Sequence, residues 1–159
     1  MLSIEEALGA LSLAVDKPQR MILLHYQTRQ PLRDPAGNEG WVDVYSGDSQ
    51  IARRHDREVL RRIYKMRGRA TITPEETEAN ETDLLVSLTA DWKLLSLDGT
   101  PLEVPFSPEN ARRIYGAPAA RWIRDQVFEF QADRGNFTPV SSPTSLNGPR
   151  TSSELTDKP

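Results

Sequence analysis

Leu84, Leu85, Leu88 and Trp92 recur at helical spacing, which predicts a helix with one apolar face over residues 83 to about 90. Trp92, Leu94 and Leu95 then lead to Asp98-Gly99. That pair signals a hairpin turn, because glycine accepts positive φ at little steric cost. Leu102, Val104 and Phe106 alternate with Glu103 and Pro105, the pattern of a short edge strand. Pro105 cannot donate to a ladder, so the strand should stop there. Ser107-Pro108-Glu109-Asn110 is a helix start: a hydroxyl cap, proline in the first turn, and an acid at the positive end of the dipole. Gly116 suits the end of that helix, and Pro118 prevents simple continuation. A second helix is predicted from about 119 to 133, with Trp122, Ile123, Val127 and Phe130 on one stripe. Arg121, Arg124, Asp125 and Glu129 largely fall elsewhere, and Phe128 leaves the stripe in a position to face a partner.

Toward the amino end, Ser3 can cap a short helix over residues 3 to about 14, with Ile4, Ala7, Leu8 and Leu11 as its apolar side. A helix of that length needs to dock against the rest of the protein. Residues 21–28 read as a strand, 31–40 as a turn-rich loop, and 41–45 as a second strand. In that second strand Trp41, Asp43 and Tyr45 share one face, with Val42 and Val44 on the other. Together they predict an antiparallel hairpin with a wide loop. A long helix follows from about Ser49 to Met66, with Ile51, Val59, Leu60, Ile63 and Tyr64 as its apolar side. Thr73-Pro74-Glu75-Glu76 starts another helix, with Thr73 as cap. The resulting fold class is α+β: a small antiparallel sheet built of hairpins, packed with about five helices. Residues 1–137 form one compact domain and 138–159, rich in Ser, Thr, Pro, Asn and Gly, a disordered polar tail.

Charge changes the picture in one region. The run over 53–69 carries Arg53, Arg54, Arg57, Arg61, Arg62, Lys65, Arg67 and Arg69, opposed only by Asp56 and Glu58. The next stretch reverses sign with Glu75, Glu76, Glu78, Glu81 and Asp83, so a basic and an acidic helix can pair antiparallel. The net charge of −3 gives no general attraction to nucleic acid, and aromatic interleaving in the basic run is limited to Tyr64. Nucleic-acid binding through Arg53, Arg57, Arg61 and Lys65 is therefore ranked behind protein binding.

Hydrophobic residues make up 37% of the chain, which points to a modest core. Cysteine is absent, which excludes disulfides, thiol catalysis and cysteine-ligated metals. No apolar run approaches a membrane span, and no secretory signal pattern opens the chain, so a cytoplasmic protein without a membrane is expected. The two histidines, His25 and His55, fall in a strand and on a charged helix. His55 and Asp56 are adjacent on that helix and point in different directions. Neither HExxH, nor a Gly-x-Ser-x-Gly elbow, nor a glycine-rich phosphate loop occurs. No catalytic, metal or cofactor residue is assigned, and an enzyme is not expected.

Residues 91–130 resemble the C-terminal part of tail assembly chaperones of tailed bacteriophages, especially those of long-tailed phages and prophages. The resemblance rests on Trp92, the Asp98-Gly99 turn, Pro105-Phe106-Ser107-Pro108-Glu109-Asn110 and the Pro118-x-x-x-Trp122-Ile123 helix. Asp133-Arg134-x-x-Phe137, the polar tail, Trp41-Val42-Asp43-Val44 and Gly47-Asp48-Ser49 fit the same kind of protein, and together cover roughly half the chain. The basic run over 53–69 departs from the family pattern. The resemblance implies a small, non-enzymatic protein of the host cytoplasm. Its partners would be the tape-measure protein, which it keeps soluble, and the tail-tube subunits it helps to assemble. Partner-binding residues are expected at Trp122, Val127, Phe128, Phe130 and Phe137. A head–tail joining or tail-completion protein is the alternative, and a small nucleic-acid-binding regulator stands behind both.

Overall fold

A computed structural model describes residues 1–66 and 72–138. Five helices and three strands follow in the order α1 (Ile4–Leu11), β1 (Gln19–Ile22), β2 (Trp41–Val44), α2 (Gln50–Lys65), α3 (Pro74–Leu88), β3 (Thr89–Lys93), α4 (Pro108–Gly116) and α5 (Arg121–Ala132). Short 3-10 turns at Pro118–Ala120 and Arg134–Phe137 flank α5. The fold is α+β, with one antiparallel sheet in the order β1-β2-β3. Residues 67–71 and 139–159, which hold Arg67, Arg69 and nearly all of the expected tail, lie outside the described residues.

The helix starts follow from local chemistry. Ser3, Ser49, Thr73 and Ser107 each accept an N–H from the first turn of the following helix. At Thr73 the cap is reciprocal, since Glu76 reaches back to the Thr73 N–H at 3.0 Å. Asp16 adds to the start of α2 by accepting from Gln50 N at 2.8 Å.

Alternation on β2 places Val42 and Val44 fully inside, against Leu23, Leu85, Leu88, Leu94, Leu95 and Val127. Trp92 sits edge-on to Phe106 at 5.2 Å and to Tyr115 at 6.1 Å. Its indole N–H donates to the Val104 carbonyl at 2.8 Å. A buried Thr89–Tyr115 hydroxyl pair, 2.7 Å apart, joins β3 to α4. Burial pushes the Tyr115 phenol well above its ordinary value despite that hydrogen bond. The Gln126 side chain ties α5 to the sheet. Its amide donates to Leu24 O at 2.8 Å and accepts from Leu24 N at 3.0 Å.

Several expected boundaries move. The helix anticipated over 83–90 is the end of a longer α3, continuous from the Thr73 start, and it stops at Leu88 so that Thr89 and Ala90 enter β3. The alternating residues 102–106 form no strand. Leu102 N still bonds Leu94 O at 3.0 Å, but the Val104 carbonyl is taken by Trp92 and the Pro105 carbonyl by Asn110. The strand expected over 21–28 is confined to Gln19–Ile22, with one further bridge between Leu24 and Pro31. Beyond it the chain turns tightly: Arg29 N donates to His25 O at 2.9 Å, and Arg29 itself sits at φ 60°. Gly116 is the last residue of α4 and not a left-handed cap; Ala117 closes that helix at φ −85°.

The Asp98-Gly99 turn forms as anticipated, with Gly99 at φ 91° and Gly99 N bonded to Ser96 O at 2.9 Å. A Cβ at Gly99 would also collide with the Arg33 carbonyl. Hydrogen bonds from the Ser96 hydroxyl, then from the Thr100 hydroxyl and N–H, hold the Asp98 carboxyl down at about 2.

Two outcomes follow for this framework. Gln126→Leu leaves the Leu24 N–H and carbonyl without their partner, and chemical denaturation should read a loss of about 2 kcal/mol. The carboxylate form of Asp98 fixes its turn, so that contribution is complete above the unfolded value of 3.8 and fades as pH falls toward about 2. An NMR titration of side-chain carboxyls should place Asp98 well below the solvent-exposed aspartates.

Candidate contact surfaces

The residues expected to bind a partner divide sharply. Val127 and Phe137 are fully buried and Phe130 is 8% exposed. Trp122 is half-buried against the core. Phe137 is drawn inside because the turn after α5 folds back: Asp133 accepts from Gly135 N at 2.9 Å, and Phe137 packs edge-on to Phe130 at 5.6 Å. Its carbonyl accepts from Ala14 N at 2.7 Å. These side chains hold the domain together and offer no free contact area. Phe128 alone keeps its face outward, at 38% exposure.

A larger apolar surface lies at the other end of the chain. Ile4, Leu8 and Leu11 of α1 are 66%, 56% and 77% exposed, and no residue of α1 is buried. The apolar side that periodicity assigned to α1 is real, but the docking against the rest of the protein expected from its length does not occur: that side faces solvent. The linker behind it is anchored by the Ala14–Phe137 hydrogen bond and by Asp16 at the start of α2.

Charged side chains also part from the expected pairing. Helices α2 and α3 pack together, yet no ion pair joins them among the described residues. Three of the α3 acids turn toward α4 and α5. Asp83 meets Arg112 at 3.3 Å, Glu78 meets Arg121 at 3.6 Å, and Glu81 meets Arg124 at 3.1 Å. Arg124, expected off the apolar stripe, is only 5% exposed, and its Nε has no hydrogen-bond partner. A polar link between α2 and α3 runs from Arg62 to Asn80 at 3.4 Å.

The histidines stand in separate roles. His25 Nδ1 accepts from Gln27 N at 3.0 Å and so shapes a turn. The His55 side chain is 10% exposed, and Asp56 lies 3.9 Å from its Nδ1, beyond hydrogen-bond reach. No group of three or more His, Cys, Asp or Glu side chains able to hold a metal is found among the described residues. An open groove of about 160 Å³ between α2 and α3 is lined by Val59, Ile63, Met66, Ile72 and Ala79 among others. A wider depression of about 350 Å³ lies over Glu78, Glu81, Arg121 and Arg124, where cations and acids already neutralise one another. Among the described residues no helix is long and apolar enough to cross a membrane.

Comparison of the chain with family models, with curated proteins and with solved structures finds no match.

The contrast between two neighbouring arginines gives a direct check. Arg121→Ala removes an exposed ion pair and should change stability by less than about 1 kcal/mol. Arg124→Ala removes buried packing as well as charge. Its loss in urea denaturation should be at least twice as large.

Proposed function

We propose that this chain is a non-enzymatic tail assembly chaperone of a tailed bacteriophage or prophage. In this reading it acts in the host cytoplasm, keeps the tape-measure protein soluble and assists the assembly of tail-tube subunits. The resemblance of residues 91–130 supplies the family. The observation that carries the reading is the outward apolar face of α1.

An eight-residue helix is marginal by itself in water. Leaving Ile4, Leu8 and Leu11 exposed forgoes about 1.5–3 kcal/mol for each side chain that a partner could bury. Such a helix gains most by lying against a second amphipathic helix, and a tape-measure chain presents long apolar stripes before the tube forms around it. Phe128 adds an exposed ring to the contact area. The other aromatic residues of the C-terminal region act indirectly, by making the body to which α1 is tethered.

Co-expression with a tape-measure protein of a long-tailed phage, the one encoded next to this chain where there is one, tests the proposal. The expected result is a larger soluble fraction of that protein and co-purification of the two. Leu8→Glu should abolish the co-purification while changing the unfolding free energy by no more than about 0.5 kcal/mol, because the site is exposed. Absence of both solubilisation and capture would count against the chaperone. Recovery of the chain from purified virions by mass spectrometry would favour the head–tail joining or tail-completion role.

A further inference from the structure

Arg53, Arg57, Arg61 and Lys65 follow one another along α2 at four-residue steps. On a helix this spacing stacks side chains on one flank, one turn apart, so the row runs about 18 Å. All four are exposed, as are Arg54 and Tyr64, the latter at 78%. The row faces away from the domain, since Ala52, Val59 and Ile63 occupy the inward side.

A basic helix face is ordinarily neutralised by a neighbour, and α3 has the acids to do so. In this fold Glu78, Glu81 and Asp83 are committed to Arg121, Arg124 and Arg112. Among the described residues the row Arg53, Arg57, Arg61 and Lys65 forms no ion pair, although Arg53 contributes to the field at Asp48. Like charges one turn apart oppose helix formation. The row therefore carries a cost that a polyanion lying along it would remove.

We infer that the outer face of α2 is a docking surface for single-stranded nucleic acid, with the cation row on successive phosphates and Tyr64 beneath an unstacked base. Three features select this occupant. Arginine makes up three of the four positions, and its planar fork matches phosphate oxygens. The row is open and winds by about a third of a turn round α2, so it can track a backbone without a pocket. The one exposed aromatic on the same face needs a base free of its duplex partner in order to stack. The chain's net charge of −3 arises from acids elsewhere, including those locked against α4 and α5. This inference is independent of the chaperone proposal.

Fluorescence anisotropy of the full chain with a labelled oligothymidylate of about twenty nucleotides tests it. Four phosphate contacts on a single strand predict a log–log salt slope of about −3, so affinity should fall about fifty-fold between 50 and 200 mM salt. The double variant Arg57→Glu, Arg61→Glu should lose binding by more than tenfold; should it misfold by circular dichroism, Arg57→Gln, Arg61→Gln serves in its place. Tyr64→Ala should weaken the single strand about tenfold and leave the salt slope unchanged. An equal-length duplex should bind more weakly than the single strand. Any of three results overturns the inference: no salt-dependent binding, binding unaffected by the arginine variants, or tighter binding of the duplex with Tyr64→Ala neutral. A polyglutamate peptide that competes at equal charge concentration would also overturn it, because the surface would then belong to an acidic protein.

Discussion

The joint at Thr89 sets the relation between the helical layer and the sheet. Helix α3 ends at Leu88 and β3 begins at the next residue, so no loop absorbs a mismatch between the two. The Thr89 hydroxyl meets both the Leu85 carbonyl, at 2.8 Å, and the Tyr115 hydroxyl, at 2.7 Å. One residue before it, the Leu88 carbonyl accepts from Tyr45 N at 2.8 Å, just past the end of β2. A single residue thus fixes where the sheet begins, how α3 enters it and where α4 must lie. Leu85 and Leu88 on the helix side, and Trp92 and Leu94 on the strand side, fall inside because of that geometry.

Three acids of α3 direct their charge around this joint toward α4 and α5. The acids of α3 reach Arg112 of α4 and Arg121 and Arg124 of α5, and these contacts bring together residues that are far apart in sequence. Surface pairs of this kind add little stability, but the Glu81–Arg124 pair involves a buried guanidinium whose removal also empties space in the core. Helix α2 meets α3 through its apolar side instead, with Val59, Ile63 and Ala79 along the groove between them. The basic and acidic runs look complementary when written one after the other. Among the described residues, Glu78, Glu81 and Asp83 serve α4 and α5.

What the sequence reveals well is what short range decides. Each cap at Ser3, Ser49, Thr73 and Ser107 depends on a side chain and an N–H three residues on, and all four form. The alternation on β2 and the Asp98-Gly99 turn are local in the same sense. Misjudged features depend on distant groups. The alternating residues 102–106 fail to become a strand because Trp92 and Asn110 claim two of their carbonyls. Phe137 looks like an exposed terminal aromatic until the turn at Asp133 folds it onto Phe130. Arg124 reads as a surface residue because Glu81, its partner, is 43 positions away. The exposed face of α1 illustrates the converse: periodicity identifies an apolar side but cannot say whether the protein itself covers it.

The clasp between Gln126 and Leu24 has a consequence for the sheet's border. With both its amide and its carbonyl engaged by one side chain, Leu24 presents nothing to which a foreign strand could hydrogen-bond. The backbone just past β1 is thereby closed to sideways addition of a further strand at this one position.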